Sequence, residues 1–101
     1  MAAVTDEQVE RVRELVASIP AGRVATYGDI AAAAGLSSAR ITGWIMRTDS
    51  ADLPWHRVIA ASGRPAAHLR TRQLERLRAE GVLAVDGRIR LHGNGSVRHQ
   101  F

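Results

Sequence analysis

A chain of 101 residues, 46% of them hydrophobic, suffices for one compact domain and is too short for two. The complete absence of cysteine excludes disulfides, thiolate metal sites and thiol nucleophiles together. The four histidines (His56, His68, His92, His99) are too scattered for a zinc site, so neither metal nor cofactor is expected. All 14 basic residues are arginine, and residues 53–101 hold nine of them against three acids, a net +6 that points to a polyanion partner or to a merely soluble basic surface.

The N-terminal stretch Met1–Glu7 has neither the basic start nor the apolar core of a signal peptide. No apolar run approaches the ~20 residues of a membrane span. The expectation is a soluble, cytoplasmic protein with no membrane partner, nucleoid-associated if bacterial. Thr5 and Gln8 are spaced as a capping box. Val9, Val12, Val16 and Ile19 then recur at helical spacing until Pro20-Ala21-Gly22, predicting a first helix over about 6–18. Arg23-Val24-Ala25 reads as a short extended link.

Thr26, with Asp29 three positions on, caps a second helix that is rich in alanine and closes at Gly35. A third helix starts at Ser37 or Ser38 and runs to about Arg47, completing a helix-turn-helix pattern. At 100° per residue, Ile41, Trp44, Ile45 and Thr48 form one stripe, expected to face the core. Ala39, Arg40, Gly43 and Arg47 form a second stripe, small and basic.

Pro54 to Ile59 is a tight loop entering a strand-like segment, and Ala60 to Ala67 is a loop. Leu74 and Leu77 mark a fourth helix over about 71–80, closed by Gly81. Val82–Val85, Asp86-Gly87 and Arg88–Leu91 carry a hairpin signal, because Asp-Gly supplies the positive φ angles of a type I′ turn. The expected fold is mainly α: a winged helix-turn-helix domain with a small C-terminal β-hairpin, occupying residues 1–92, followed by a loose tail over 93–101.

Four segments carry a resemblance. Ile19-Pro20-Ala21-Gly22-Arg23-Val24-Ala25-Thr26-Tyr27-Gly28-Asp29-Ile30-Ala31, then Ala39-Arg40 with Gly43, then Pro54-Trp55-His56-Arg57-Val58-Ile59, then Glu80-Gly81 occur in the order seen in the O6-alkylguanine-DNA alkyltransferases. The third segment resembles that family's P-C-H-R-V active-site motif with Trp55 where the acceptor cysteine belongs. This pattern is similar to the alkyltransferase-like branch. Indole offers neither a nucleophilic sulfur nor a removable proton at useful pH, so alkyl transfer to this position is excluded and no enzyme activity is expected.

The resemblance implies a non-enzymatic sensor that binds duplex DNA through the minor groove and flips O6-alkylguanine into a pocket formed by Trp55, Tyr27, His56 and Pro54. It implies that Arg40 enters the base stack as an arginine finger, and that Tyr27 presses on the phosphate beside the target. Thr26, Ala39, Gly43 and Arg47 would lie along the DNA. His56 and Glu80 resemble the proton relay of the active enzymes. Without a thiol they are expected to serve, with Arg57, as a structural network.

Two departures stand out: the stretch from Met46 to Pro54 is short and lacks the family's Asn-Pro hinge, and the loop from Ser62 to Leu74 is shortened. Among Arg64, His68, Arg70 and Arg72 in that loop, Arg64 or Arg70 is chosen as the DNA-contacting residue. The implied partners are alkylated double-stranded DNA and the nucleotide-excision repair proteins, with the chain acting as a monomer. The competing reading is a winged-helix transcriptional regulator of a specific DNA sequence. In that reading Trp55 belongs to the core, the usual place of a lone tryptophan.

Overall fold

The computed structural model describes residues 4–101. Helix α1 spans Asp6–Ser18, and its capping box is formed: Thr5 Oγ1 accepts from the Gln8 N–H at 3.1 Å, while Gln8 Oε1 accepts from the Thr5 N–H at 2.9 Å. Asp6 and Glu7 place negative charge against the exposed amides of the first turn. Val12, Leu15 and Val16 form its buried face.

After the Pro20 turn the chain forms a two-residue strand, β1 (Ala25–Thr26), which runs straight into helix α2 (Tyr27–Ala34). Thr26 and Asp29 form a second reciprocal capping box, and Gly35 ends the helix at φ +70°, a conformation glycine adopts without a Cβ penalty. Helix α3 covers Ala39–Thr48 from its N-cap Ser38. A 3-10 turn at Trp55–Arg57 leads directly into strand β2 (Val58–Ile59). A second 3-10 turn at Ala67–Leu69 leads into helix α4 (Arg70–Ala79), shifted one residue from the expected 71–80.

The two strands pair in parallel, Ala25 opposite Val58 and Thr26 opposite Ile59. Neighbouring residues of a strand face opposite ways, and the pairing therefore divides the interior. Ala25 and Val58 join a cluster with Val12, Val16, Ile19, Ile30 and Ile45 under the first three helices. Val24 and Ile59 join a second cluster with Leu77, Val82, Ile89 and Leu91. Gln73, buried on α4, donates its amide to the carbonyls of His56 and Val58 at 3.0 and 2.8 Å, fixing the segment between Trp55 and β2 against α4.

Three expectations are corrected. On α3 the fully buried residues are Thr42 and Ile45, while Trp44 is 48% exposed and Thr48 is also exposed. Hydrophobicity ranks an indole above a threonine, but the crossing of α3 over its neighbours decides which face is covered.

The Asp86-Gly87 turn has the expected positive φ values, +53° and +75°, yet pairing stops at the single bridge Val85–Arg88. Ile89 and Leu91 sink into the second cluster, whereas Leu83 and Val85 are 65% and 62% exposed. Val82 and Ala84 of the first arm pack on that same cluster, yet among the described residues no backbone pairing beyond the Val85–Arg88 bridge joins the two arms. Instead the Ile89 N–H donates to the Gly63 carbonyl at 2.8 Å.

Nor is the C-terminal segment loose. The Val24 N–H donates to Val97 O at 2.9 Å, the His99 N–H donates to Val24 O at 2.7 Å, and Arg98 pairs with Asp29. Residues 97–99 thus continue the fold beyond the boundary expected at 92, by backbone pairing that leaves no hydrophobic signature.

Candidate nucleic-acid interface

Since β1 ends where α2 begins and β2 begins where the Trp55 turn ends, their pairing sets Tyr27 and Trp55 on the same side of the molecule. Between them opens a cleft of about 930 Å³. Tyr27 and Gly28 form its edge at the start of α2. Ala39, Arg40, Gly43 and Arg47 come from one face of α3, and Trp55 stands at the 3-10 turn. His68, Arg72 and Gln73 close the far side.

Each wall is held from beneath. Ser38 Oγ accepts the Arg40 backbone N–H at 3.0 Å and starts α3, leaving the Arg40 side chain exposed. A methyl group added at Gly43 would meet Arg47 Nη1 at 3.6 Å, an ordinary contact. Nothing inside the chain requires glycine there. Arg13 of α1 donates to the Asp49 carbonyl at 2.9 Å and to Asp52 Oδ1 and Oδ2 at 3.0 and 2.5 Å. This clamp holds the short connection from α3 to the Trp55 turn. Burial raises the Tyr27 phenol above its ordinary pKa against the opposing charge of Arg47, so Tyr27 presents a neutral hydroxyl.

Trp55 is half-buried, with the guanidinium carbons of Arg72 and Arg76 at 5.6 and 5.4 Å from its ring centroid. Next to it, His56 is buried and its Nε2 lies 3.0 Å from Glu80 Oε2. Arg57 reaches the same carboxylate through Nε at 2.9 Å and Nη2 at 2.5 Å, and donates through Nη1 to Ile19 O at 2.8 Å. Arg57 first, and His56 after it, hold Glu80 at a pKa of about 2, so this carboxylate stays ionised. Among the described residues His56 Nδ1 has no hydrogen-bond partner.

Of the residues singled out from the sequence, Tyr27, Ala39, Arg40, Gly43, Arg47 and Trp55 converge on the one cleft. Thr26 is buried and caps α2, Pro54 precedes the 3-10 turn, and His56 lies within the network rather than on the cleft surface. Arg64 and Arg70 line a separate depression of about 270 Å³ beside Gly87, with Pro65 and Ala67. From the same loop, His68 and Arg72 are the basic residues that reach the main cleft. Arg76 and Arg98 were missed. Only the four-residue spacing of Arg72 and Arg76 on one helix face hinted at the first, and nothing local marked the second. Among the described residues no cluster of His, Cys, Asp or Glu could hold a metal ion, and no helix is long and apolar enough to cross a membrane.

Residues 7–82 match the family model described as 6-O-methylguanine DNA methyltransferase, DNA binding domain. The chain belongs to this family. It is 40% identical over 84 residues to the DNA base-flipping protein of Escherichia coli K12, covering 77% of this chain and 64% of that protein, just under two thirds of its length. It is also 40% identical over 84 residues to alkyltransferase-like protein 1 of Schizosaccharomyces pombe, covering 76% of this chain and 78% of the relative.

Among solved structures, S. pombe Atl1 in complex with damaged DNA containing O6-carboxymethylguanine matches with a TM-score of 0.70 at 39% identity, over 77% of this chain and 79% of that one. The O6-methylguanine methyltransferase of Mycobacterium tuberculosis matches with a TM-score of 0.65 at 32% identity, over 81% of this chain and 52% of that one. This family member therefore has the mainly helical DNA-binding fold of the alkyltransferases, within which the expected helix-turn-helix is α2 and α3.

Proposed function

We propose that this chain recognises O6-alkylguanine in duplex DNA without repairing it. The observation that carries the reading is that Trp55, Tyr27 and Arg40 line one open cleft, although 28 residues of sequence separate the first two. Helix α3 approaches the minor groove with its small residues Ala39 and Gly43, and Arg40 takes the place of the extruded nucleotide in the stack. Tyr27 bears on the neighbouring phosphate, Thr26 holds Tyr27 in place as cap, and the flipped base lies against the Trp55 indole. Pro54 and His56 support the indole, while Arg47, Arg64 and Arg70 face the DNA backbone as cations.

Trp55 stands in for the acceptor cysteine, and the chain has no cysteine elsewhere. Without a thiolate the receptor is reversible and needs no cofactor. It acts as a monomer, because one lesion presents no two-fold symmetry. Recognition without transfer is in keeping with relatives named for base flipping and for alkyltransferase likeness, and the bound lesion would then serve as a mark for nucleotide-excision repair.

The test is a titration of matched duplexes with and without O6-methylguanine at one salt concentration, followed by mass measurement of the protein. The expected outcome is tighter binding to the alkylated duplex and an unchanged protein mass. Equal affinity for the two duplexes, together with preference for a particular base sequence, would establish a sequence-reading regulator instead.

A further inference from the structure

The wall around Trp55 carries uncompensated positive charge that a neutral alkyl group does not engage. Arg72 and Arg76 lie four residues apart on α4, and both guanidinium groups come within 6 Å of the same indole centroid, at 5.6 and 5.4 Å. Among the described residues neither has a carboxylate within 4 Å, whereas Arg13, Arg57 and Arg98 are each paired with an acid. Arg40, Arg47 and His68 also line the cleft, and its lining contains no Asp or Glu. Arg72 and Arg76 are both exposed. Two adjacent cations without a counter-ion repel each other, and an anion placed against the indole beside them would relieve that repulsion.

We infer that the cleft prefers O6-alkyl groups ending in a carboxylate over neutral groups of equal size, with Arg72 as the specificity-determining residue; this rests on the reading of the cleft as a receptor for flipped O6-alkylguanine. The methylene of such a group meets the apolar face of Trp55, and the carboxylate meets the planar guanidinium fork. Arg72 carries the selection because it is part of the cleft lining. Arg76, outside that lining, adds to the local field.

The experiment compares four duplexes of one sequence, carrying guanine, O6-methylguanine, O6-carboxymethylguanine or its neutral isostere O6-carbamoylmethylguanine, at one low salt concentration. The backbone attraction is common to all four and cancels in the ratios. The full-length chain is expected to bind the carboxymethyl duplex about tenfold tighter than the carbamoylmethyl duplex, about 1.4 kcal/mol. Arg72→Gln is expected to bring that ratio near one, any loss of affinity common to the four duplexes cancelling in it. Arg76→Gln is expected to lower the ratio only in part.

A wild-type ratio of one or less, with both adducts still preferred over guanine, overturns this inference and leaves the proposed function standing. A ratio that survives Arg72→Gln overturns the assignment to Arg72. Equal binding of all four duplexes overturns both the inference and the reading beneath it.

Discussion

Arg98 grips Asp29 with two parallel bonds, Nε to Oδ2 at 2.9 Å and Nη2 to Oδ1 at 2.5 Å, across 69 residues of sequence. Asp29 is also the residue whose carboxylate accepts the Thr26 N–H at 3.1 Å and so closes the cap of α2, the helix that begins at Tyr27. The last strand-like residues of the chain therefore brace the edge of the cleft.

Arg98→Ala should cost about 1–2 kcal/mol of stability, since it leaves a half-buried carboxylate with one partner fewer. Pairing with Arg98, the largest cause, lowers the Asp29 pKa. The contribution is thus fully present above the ordinary carboxylate pKa and is lost as pH falls through the lowered value. Urea unfolding of the two proteins at neutral and acid pH measures it. An equal stability difference across that range would show that the ion pair is not its source.

Glu80 supplies a second and sharper acid limb. Its pKa stands at about 2, against an ordinary value of 4.5, with Arg57 the chief cause and His56 secondary. Because the folded value is depressed, the stabilisation is complete above pH 4.5 and disappears as pH falls toward 2. Glu80→Gln should destabilise the protein by about 2–4 kcal/mol at neutral pH, by stranding the Arg57 guanidinium. The gap from the wild type should close below pH 4.5 in a series of denaturation curves.

Arg40 and Arg70 should separate by salt dependence. Arg40→Ala is expected to weaken binding to alkylated duplex by about tenfold more than binding to undamaged duplex, because an inserted finger acts only when a base is out. Arg70→Ala should weaken both alike and reduce the slope of log affinity against log salt by about one. An unchanged lesion preference in Arg40→Ala would remove the finger from the proposal.

Gly63 is required by packing as well as by its φ of +77°, because an added Cβ would fall on the Ile89 carbonyl oxygen. Gly63→Ala should cost about 2 kcal/mol or more. The loss should appear as faster amide exchange at Ile89, whose N–H donates to the Gly63 carbonyl. Unaltered protection there would mean that the 88–91 segment is held by other contacts.

Helix limits were legible because their causes are local. Thr5 with Gln8, Thr26 with Asp29, and Gly35 with its positive φ act over three or four residues, and each lies where its spacing predicts. The motifs also marked Tyr27, Arg40 and Trp55 as belonging together. Patterning failed where burial depends on a partner far along the chain, as with Trp44 outside the core, Thr42 inside it, and a turn at Asp86-Gly87 whose arms part.

By itself the order of residues determined the four helices, the absence of a thiol, the basic second half and membership of the family's pattern, since each is a matter of composition or short-range geometry. Tertiary structure alone decided the parallel pairing of Ala25 with Val58, which sets Tyr27 beside the Trp55 turn. It also decided which loop arginines reach the cleft, and the docking of Arg98 on Asp29. The physical reason is that the first and last join distant segments through backbone pairing or a single ion pair, and the second follows from how the loop packs in three dimensions; none of these carries a periodicity that a sequence can display.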